Sequence, residues 1–261
     1  MPNIEVKNIN KIYTSPDGKE VHALQDINLK VNDGEFVCIV GPSGCGKSTL
    51  LEIIAGLLPS TSGEILLDGK QVQGTSRDIG VVFQDASLFP WRTIEKNISF
   101  GMDVAKLPKE ERKARVEKYI NMVNLKGFEH KYPSQLSGGM RQRAGIARTL
   151  AMEPEVILMD EPFSAVDHLT RCTLQEELIQ IWEKEKKTIL FVTHDINEAV
   201  FLANRVVLLS TRPGKIQRIY DVPYPQIRNC NAKELVDIAT QITVDINNNG
   251  RDIPADYFGN L

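Results

Sequence analysis

Hydrophobic and polar residues in the first third of the chain follow the pattern of short β-strands. The segments with this pattern are Ile4–Val6, Ile12–Tyr13, Val21–Leu24, Ile27–Val31 and Glu64–Gly69. Ile27–Val31 alternates apolar and polar residues, as a half-buried strand does. Ser15–Gly18 has the sequence Ser-Pro-Asp-Gly, which favours a turn between two strands. These patterns predict an antiparallel β region at the start of the chain.

Five further apolar runs show no alternation and are rich in Val, Ile and Leu. They are Phe36–Val40, Ile79–Phe83, Val156–Met159, Ile189–Val192 and Val206–Leu209. Short continuous runs of this kind are typical of strands that are buried on both faces of a mostly parallel sheet. The sequence therefore predicts an α/β fold.

Helical patterns separate most of these strands. Apolar stripes at helical spacing are Val116, Tyr119, Ile120 and Val123, and then Leu174, Leu178, Ile181 and Trp182. We interpret both stripes as core packing. Residues 85–150 contain helical patterns and no strong strand, which indicates a helical insert in the domain formed by residues 1–222. In the tail, residues 223–261, the spacing of Leu235, Ile238, Ala239, Ile242 and Ile246 predicts an amphipathic helix.

Composition and charge narrow the classes of partner. The 261 residues are 25% charged and 42% hydrophobic, and the net charge of −3 gives no basic footprint for nucleic acid. No segment resembles a signal peptide or a membrane span, so we expect a cytosolic chain that reaches a membrane only through a partner. Four scattered cysteines without a Cys-x-x-Cys pair argue against a zinc site or a disulfide framework.

The strongest chemical motif directly follows the predicted strand Phe36–Val40. It consists of Gly41, Pro42, Ser43, Gly44, Cys45, Gly46, Lys47, Ser48 and Thr49. Its pattern Gly-x-x-x-x-Gly-Lys-Ser, between a strand and a helix, is that of a phosphate-binding loop. Backbone N–H groups and the helix N-terminus would hold a polyphosphate, and Lys47 would reach its β- and γ-phosphates. The Ser48 hydroxyl would ligate Mg²⁺. Because Cys45 lies close to the helix N-terminus, we expect a thiolate there, whose alkylation would block nucleotide binding.

Two acids end the predicted strand Val156–Met159. Asp160 and Glu161 would lie at the edge where open α/β sheets bind ligands. Asp160 would hold Mg²⁺, and Glu161 would polarise an attacking water. Acids also end strands merely to reach solvent, but the phosphate loop upstream favours the functional interpretation.

A second candidate anion site lies at Leu136–Met140. Ser137 is a good N-cap, and Gly138 and Gly139 behind it would let an anion approach the backbone closely. A simple capped helix is the alternative interpretation.

Taken in order, these motifs resemble the nucleotide-binding subunit of an ABC transporter from Ile4 to Ile219. The matching segments are Gly41–Thr49, Gln84, Leu136–Met140, Val156–Glu161, the Ser-Ala-Val-Asp stretch ending at Asp167, and His194. The resemblance implies a P-loop ATPase core with a helical subdomain. It also implies a head-to-tail dimer of identical chains, with ATP and Mg²⁺ at the interface. Each ATP would contact the phosphate loop of one subunit and Ser137, Gly138 and Gly139 of the other.

The same resemblance implies roles for three further residues. Gln84 would sense Mg²⁺ and the attacking water, His194 would hold the γ-phosphate, and Tyr13 would stack on adenine. Without the resemblance, Gln84 is a polar strand end, His194 a hydrogen-bonded structural residue and Tyr13 a packed strand residue. Met140 and Val166 depart from the residues that are usual in the family, Gln and Leu, but neither removes a phosphate ligand or a carboxylate.

Two segments resemble the nitrate/sulfonate/taurine branch of bacterial importers. They are Leu88–Trp91 and Thr211–Ile216. This branch implies a transmembrane permease, an extracytoplasmic substrate-binding protein and a peripheral position on the cytoplasmic face of the inner membrane. Trp91 would anchor the permease, although it could equally belong to a small local core.

Two other classes are alternatives. A soluble ABC ATPase that acts on DNA or ribosomes would carry a long coiled coil or a second cassette, and the sequence shows neither. A P-loop kinase would leave the Leu136–Met140 segment without a role.

Overall fold

The computed structural model describes residues 3–164, 166–223 and 232–248. Its strands are β1 (Ile4–Thr14), β2 (Glu20–Val31), β3 (Phe36–Val40), β4 (Ser62–Leu67), β5 (Lys70–Gln71), β6 (Ile79–Val82), β7 (Val156–Asp160), β8 (Thr188–Val192), β9 (Arg205–Leu209) and β10 (Ile216–Asp221). Its α-helices are α1 (Lys47–Ile54), α2 (Ile94–Ile98), α3 (Phe100–Val104), α4 (Lys109–Met122), α5 (Gly138–Leu150), α6 (His168–Glu185), α7 (Ile196–Leu202) and α8 (Lys233–Asn247). A 3-10 turn spans Pro133–Gln135.

The predicted antiparallel β region is a four-stranded sheet in the order β2-β1-β4-β5. The turn at Ser15–Gly18 is closed by the Gly18 N–H, which donates to the Ser15 carbonyl at 2.8 Å. β1 and β2 are each one long strand, whereas the sequence predicted two short segments for each. Register shifts interrupt their pairing between Val6 and Ile12, and Asn8 and Asp26 have positive φ. These bulges put polar residues inside continuous strands, and so they break the apolar alternation.

The five continuous apolar runs form a parallel sheet, as predicted. The order is β10-β9-β3-β8-β7-β6, with β9, β3, β8, β7 and β6 mutually parallel. β10 pairs antiparallel with β9 at one edge. β10 was not predicted, because its exposed polar residues, including Gln217 and Arg218, interrupt the apolar pattern. The α/β fold class is confirmed.

Each face of the large sheet has its own core. Phe36, Cys38 and Val40 of β3 face a core shared with the helices, whereas Val37 and Ile39 face a core shared with α1 and the small sheet. Since successive strand residues point to opposite faces, complete burial of β3 requires both layers. Because β3, β8 and β7 are parallel, their carboxyl ends lie side by side at one edge of the large sheet.

Residues 85–150, all of which are described, contain helices and no strand. The predicted tail helix is present as α8, whose Leu235, Ala239 and Ile242 are buried. It packs against α7, and Asp245 binds Arg218 and Tyr220 of β10. The division of the chain at residue 222 remains a prediction. None of the helices in the described part of the chain is long and apolar enough to cross a membrane.

Candidate functional site

Glycines allow the chain to turn sharply between β3 and α1. Gly46 has φ +102°, and a Cβ there would lie 2.6 Å from Leu24 Cδ2. A Cβ on Gly41 would lie 2.7 Å from the Leu209 carbonyl oxygen. Both positions therefore exclude a side chain, and the loop packs tightly against β2 and β9.

Lys47, the first residue of α1, is held inside this loop. Its side chain is only 6% exposed, and its Nζ donates to the carbonyls of Gly41 at 2.9 Å and Pro42 at 3.2 Å. A buried ammonium ion with backbone partners is a fixed positive charge, and it lies where the N-terminus of α1 adds its own partial charge. The loop can accordingly bind an anion.

The Ser48 hydroxyl and the Asp160 carboxyl lie close together beside the phosphate loop. Ser48 Oγ donates to Asp160 Oδ1 at 3.1 Å, which joins α1 to the end of β7. Burial raises the pKa of the Asp160 carboxyl, and the neighbouring Glu161 carboxylate raises it further. A hydroxyl and a carboxylate are the hard oxygen ligands that Mg²⁺ prefers, with phosphate oxygens completing its shell. The described residues include no cluster of three or more His, Cys, Asp or Glu side chains that could hold a metal without such help.

Glu161 and His194 form a hydrogen-bonded pair. His194 Nδ1 lies 2.9 Å from Glu161 Oε2, and the Glu161 backbone N–H donates to Val192 O at the end of β8. Glu161 has φ +43°, an uncommon backbone conformation for a non-glycine residue. Such outliers cluster at functional sites, where the surrounding structure holds them. The strand ends thus position one carboxylate and one imidazole together.

Lys47, Ser48 and Glu161 line a cavity of 360 Å³, whereas Asp160 and His194 adjoin it only through their hydrogen bonds to Ser48 and Glu161. Its lining includes Tyr13, Ser43, Lys47, Ser48 and Glu161. Tyr13, at the end of β1, is 42% exposed, and Lys11 Nζ lies over its ring at 5.0 Å from the centroid, so the ring is partly accessible. An aromatic ring, an anion-binding loop and a carboxylate around one cavity suit a nucleotide.

Gln84 lies near this cavity but does not line it. Its Nε2 donates to Ser164 Oγ at 3.1 Å, and that hydroxyl donates to the Glu161 carbonyl at 2.9 Å. No sequence pattern indicates this link, because only the tertiary structure brings Ser164 to Gln84. Through Ser164, a movement of the loop after β6 would reach the backbone of Glu161.

The second candidate anion site is at the start of α5 and faces a different cavity. Ser137 Oγ caps the helix by accepting from the Met140 N–H at 3.3 Å. Gly138 lines a separate cavity of 340 Å³ together with Gln84. A Cβ on Gly139 would lie 2.7 Å from Thr170 Cγ2 of α6. The three residues Ser137, Gly138 and Gly139 are absent from the described lining of the phosphate-loop cavity.

The start of α6 lies next to the start of α5, where Thr170 approaches Gly139. Asp167 caps this helix by accepting from the Thr170 N–H at 3.1 Å. Ala165 of the Ser-Ala-Val-Asp stretch lies outside the described residues.

Cys45 corrects an expectation. The thiol is 1% exposed, and its burial raises its pKa, against the opposing effect of the Lys47 ammonium. The expected thiolate was wrong because desolvation outweighs the Lys47 charge and the backbone hydrogen bonds that lower the pKa. Cys38 is also buried, Cys172 is exposed, and Cys230 lies outside the described residues.

Arg212 is a lining residue that the sequence analysis did not assign to the site. It follows β9, and its Nε donates to the Gly44 carbonyl at 2.8 Å. In the sequence, the Thr211–Ile216 segment indicates only a subfamily, so it predicts no role for Arg212.

A buried acid near His194 was also missed. Glu198 is 5% exposed, accepts from Gln175 Nε2 at 2.9 Å and bonds to the Thr193 hydroxyl. Burial raises the pKa of the Glu198 carboxyl. This contact links α6 to the strand end that carries His194.

Comparisons with known proteins show the family to which the chain belongs. The ABC transporter family model matches residues 24–164. An ABC transporter ATP-binding protein of Methanocaldococcus jannaschii is 52% identical, over 92% of this chain and 89% of its own length. The aliphatic sulfonates import ATP-binding protein SsuB of Bacillus cereus is 45% identical, over 87% of this chain and 89% of its own length.

A solved structure gives the same result for the fold. The ATP-binding cassette MJ0796, dimeric in a post-hydrolysis state with ADP and phosphate, has a TM-score of 0.75 and 35% identity. The similarity covers 85% of this chain and all of that one. The chain belongs to the ABC transporter family, and it is an ATP-binding subunit with ATPase activity.

Proposed function

We propose that the chain powers a bacterial-type importer of a small anion, with an aliphatic sulfonate as the first candidate and nitrate or taurine as the others. The supporting observation is the 45% identity to a protein named as an aliphatic sulfonates import ATP-binding protein. The Leu88–Trp91 and Thr211–Ile216 segments point to the same branch. The partners would be a second copy of this chain, a transmembrane permease and an extracytoplasmic substrate-binding protein. The chain would be peripheral, on the cytoplasmic face of the inner membrane.

Two copies would be needed to enclose each ATP. One chain carries two anion-binding helix ends, at Lys47 and at Ser137, which face separate cavities. A head-to-tail pair would bring the Ser137–Gly139 end of one copy onto the phosphate loop of the other. The dimeric cassette with ADP and phosphate supports this arrangement. The γ-phosphate would then contact both chains.

Within this arrangement the cavity residues have distinct roles. Glu161 would orient the attacking water and accept its proton, because it lines the same cavity as Lys47. His194, held by Glu161, would donate to the γ-phosphate. Lys47 and the partner's α5 N-terminus would stabilise the charge that develops on the phosphoryl oxygens. Ser48, Asp160 and Gln84 are the residues that would hold Mg²⁺, which would supply positive charge against the phosphates. Tyr13 would stack on adenine.

Trp91 is the proposed anchor for the permease. Its side chain is 71% exposed and packs on Phe89, with ring centroids 5.6 Å apart. The buried Asn97 holds the backbone of this segment, since it bonds to Phe89 and to the carbonyls of Arg92 and Thr93. A large exposed aromatic ring on a rigid loop is a typical hot spot of a protein interface.

Trp91→Ala is therefore expected to weaken binding of the chain to the permease and so to lower transport, while ATP hydrolysis by the isolated chain stays unchanged. Loss of about 2 kcal/mol of contact energy corresponds to an affinity for the permease that is lower by ~30-fold. The measurement is binding to, and uptake through, the permease encoded with the chain, reconstituted with its substrate-binding protein. Val104→Ala, at another exposed apolar side chain, is the control and is expected to leave both unchanged. Wild-type affinity and uptake with Trp91→Ala would contradict the proposed anchor.

The cargo is tested with the same reconstituted system. Uptake is measured for an alkanesulfonate, taurine, nitrate, bicarbonate and a pyrimidine precursor. ATP-dependent uptake of at least one of the first three is expected. Uptake of only bicarbonate or the pyrimidine precursor would contradict the proposed cargo class, and retention of the chain on nucleic acid or ribosomes instead of the permease would contradict import itself.

A further inference from the structure

The segment between β9 and β10 packs directly on the phosphate loop. Gly214 donates to the Ala23 carbonyl and accepts from the Gln25 N–H, both at 2.9 Å, which ties the segment to β2. A Cβ on Gly214 would lie 2.1 Å from the Cys45 carbonyl oxygen, so the two backbones are in close contact. Ser210 Oγ also bonds to the Pro213 carbonyl and the Lys215 N–H at 3.0 Å. The position of this segment relative to the loop is therefore fixed.

Arg212 extends from this fixed segment onto the loop. Besides its Nε bond to the Gly44 carbonyl, its Nη2 lies 3.1 Å from the point at which a Cβ on Gly44 would sit. Gly44 has φ +74°, a backbone conformation that residues with a side chain rarely adopt, and a Cβ there would press against the guanidinium and shift it slightly. The arginine therefore lies in close contact with the glycine turn of the loop.

The guanidinium also lines the 360 Å³ cavity with Lys47 and Ser43. Nε is its hydrogen-bonded nitrogen in the described part of the protein, and the two terminal nitrogens carry further N–H donors. Planar guanidinium donors match phosphate oxygens well, often with two parallel bonds. Arg212 accordingly brings a second full positive charge to a cavity where Lys47 is the first.

We propose that Arg212 is a nucleotide-positioning residue. Its Nε holds the Gly44 carbonyl, and its terminal nitrogens bind the phosphate chain of the nucleotide held by the same subunit. The inference depends on the family's ATP binding and not on the cargo, so its failure would leave the proposed import untouched.

The test compares three variants by titration calorimetry with ATP and with inorganic tripolyphosphate. Arg212→Gln removes the charge, Arg212→Lys keeps it without the planar fork, and Lys215→Gln removes an exposed charge from the same segment as a control. Arg212→Gln is expected to lower the affinity for ATP and the affinity for tripolyphosphate by the same factor, about 10-fold. Arg212→Lys should restore part of the loss, and Lys215→Gln should stay within about twofold of wild type in both titrations.

Other readouts separate this role from a merely structural one. The ATP KM of Arg212→Gln should rise while kcat changes little, and the salt dependence of tripolyphosphate binding should become shallower. Any fall in the melting temperature without nucleotide, caused by the lost Nε bond to Gly44, should also appear in Arg212→Lys, which keeps the charge but lacks this donor. Unchanged binding in Arg212→Gln would overturn the proposal, as would a loss for ATP without a loss for tripolyphosphate, which would place the guanidinium on the nucleoside. If Arg212→Gln does not fold, Arg212→Lys decides: wild-type affinity together with a wild-type salt slope would refute the fork-specific contact.

Discussion

Glu161→Gln is expected to lower ATP turnover by about 10²–10⁴-fold while the variant still binds ATP. The substitution keeps the size of the side chain but removes the negative charge that accepts a proton from water. Lys47, Ser48 and the phosphate loop are unchanged, so binding should persist. Because hydrolysis is what reopens the proposed dimer, the variant should accumulate as an ATP-bound dimer. Single-turnover kinetics and gel filtration with ATP measure the two effects.

Glu155→Gln is the matched control for this substitution. Glu155 directly precedes the same strand, β7, but is exposed and lies outside the phosphate-loop cavity. Its replacement should leave turnover and oligomeric state unchanged. Wild-type turnover by Glu161→Gln would remove Glu161 from its proposed role and would leave His194 as the candidate base, which His194→Ala would then test.

Lys47→Ala has the second largest expected effect, a loss of nucleotide affinity of about 100-fold. A hydrogen bond to a charged group contributes roughly 1.5–3 kcal/mol, and Lys47 is the buried charge inside the loop. Its removal also leaves the carbonyls of Gly41 and Pro42 without this donor. Calorimetric titration with ATP measures the loss, and the melting temperature of the free protein reports any disturbance of the loop.

The exposed Lys30 of β2 provides the control for charge alone. Lys30→Ala lowers the net charge by the same amount without touching the cavity, and we expect ATP affinity within about twofold of wild type. If Lys47→Ala bound ATP as tightly as Lys30→Ala, the assignment of the loop as the phosphate site would fail.

Much of the site could be predicted from the sequence because its chemistry is local. The phosphate loop needs glycines and a lysine at fixed spacing between a strand and a helix, and Asp160 and Glu161 directly follow a buried strand. The parallel strands were equally visible, since burial on both faces gives continuous apolar runs. The family and the α/β fold were therefore predicted correctly.

Other features depend on contacts between distant parts of the chain. Cys45 has the sequence position of an activated thiol, but neighbouring strands bury it and raise its pKa. Arg212 reaches Gly44 across 168 residues, and Ser164 reaches Gln84 across 80. No local pattern encodes such contacts.

In the proposed arrangement one chain cannot enclose ATP alone, so the ATPase rate per subunit should depend on protein concentration. ATP and Mg²⁺ are held saturating, and sedimentation in the same buffer defines where only monomers remain. The rate per subunit is expected to fall with the dimer fraction and to vanish in the monomer range. A constant rate per subunit down to concentrations at which only monomers sediment would contradict the account.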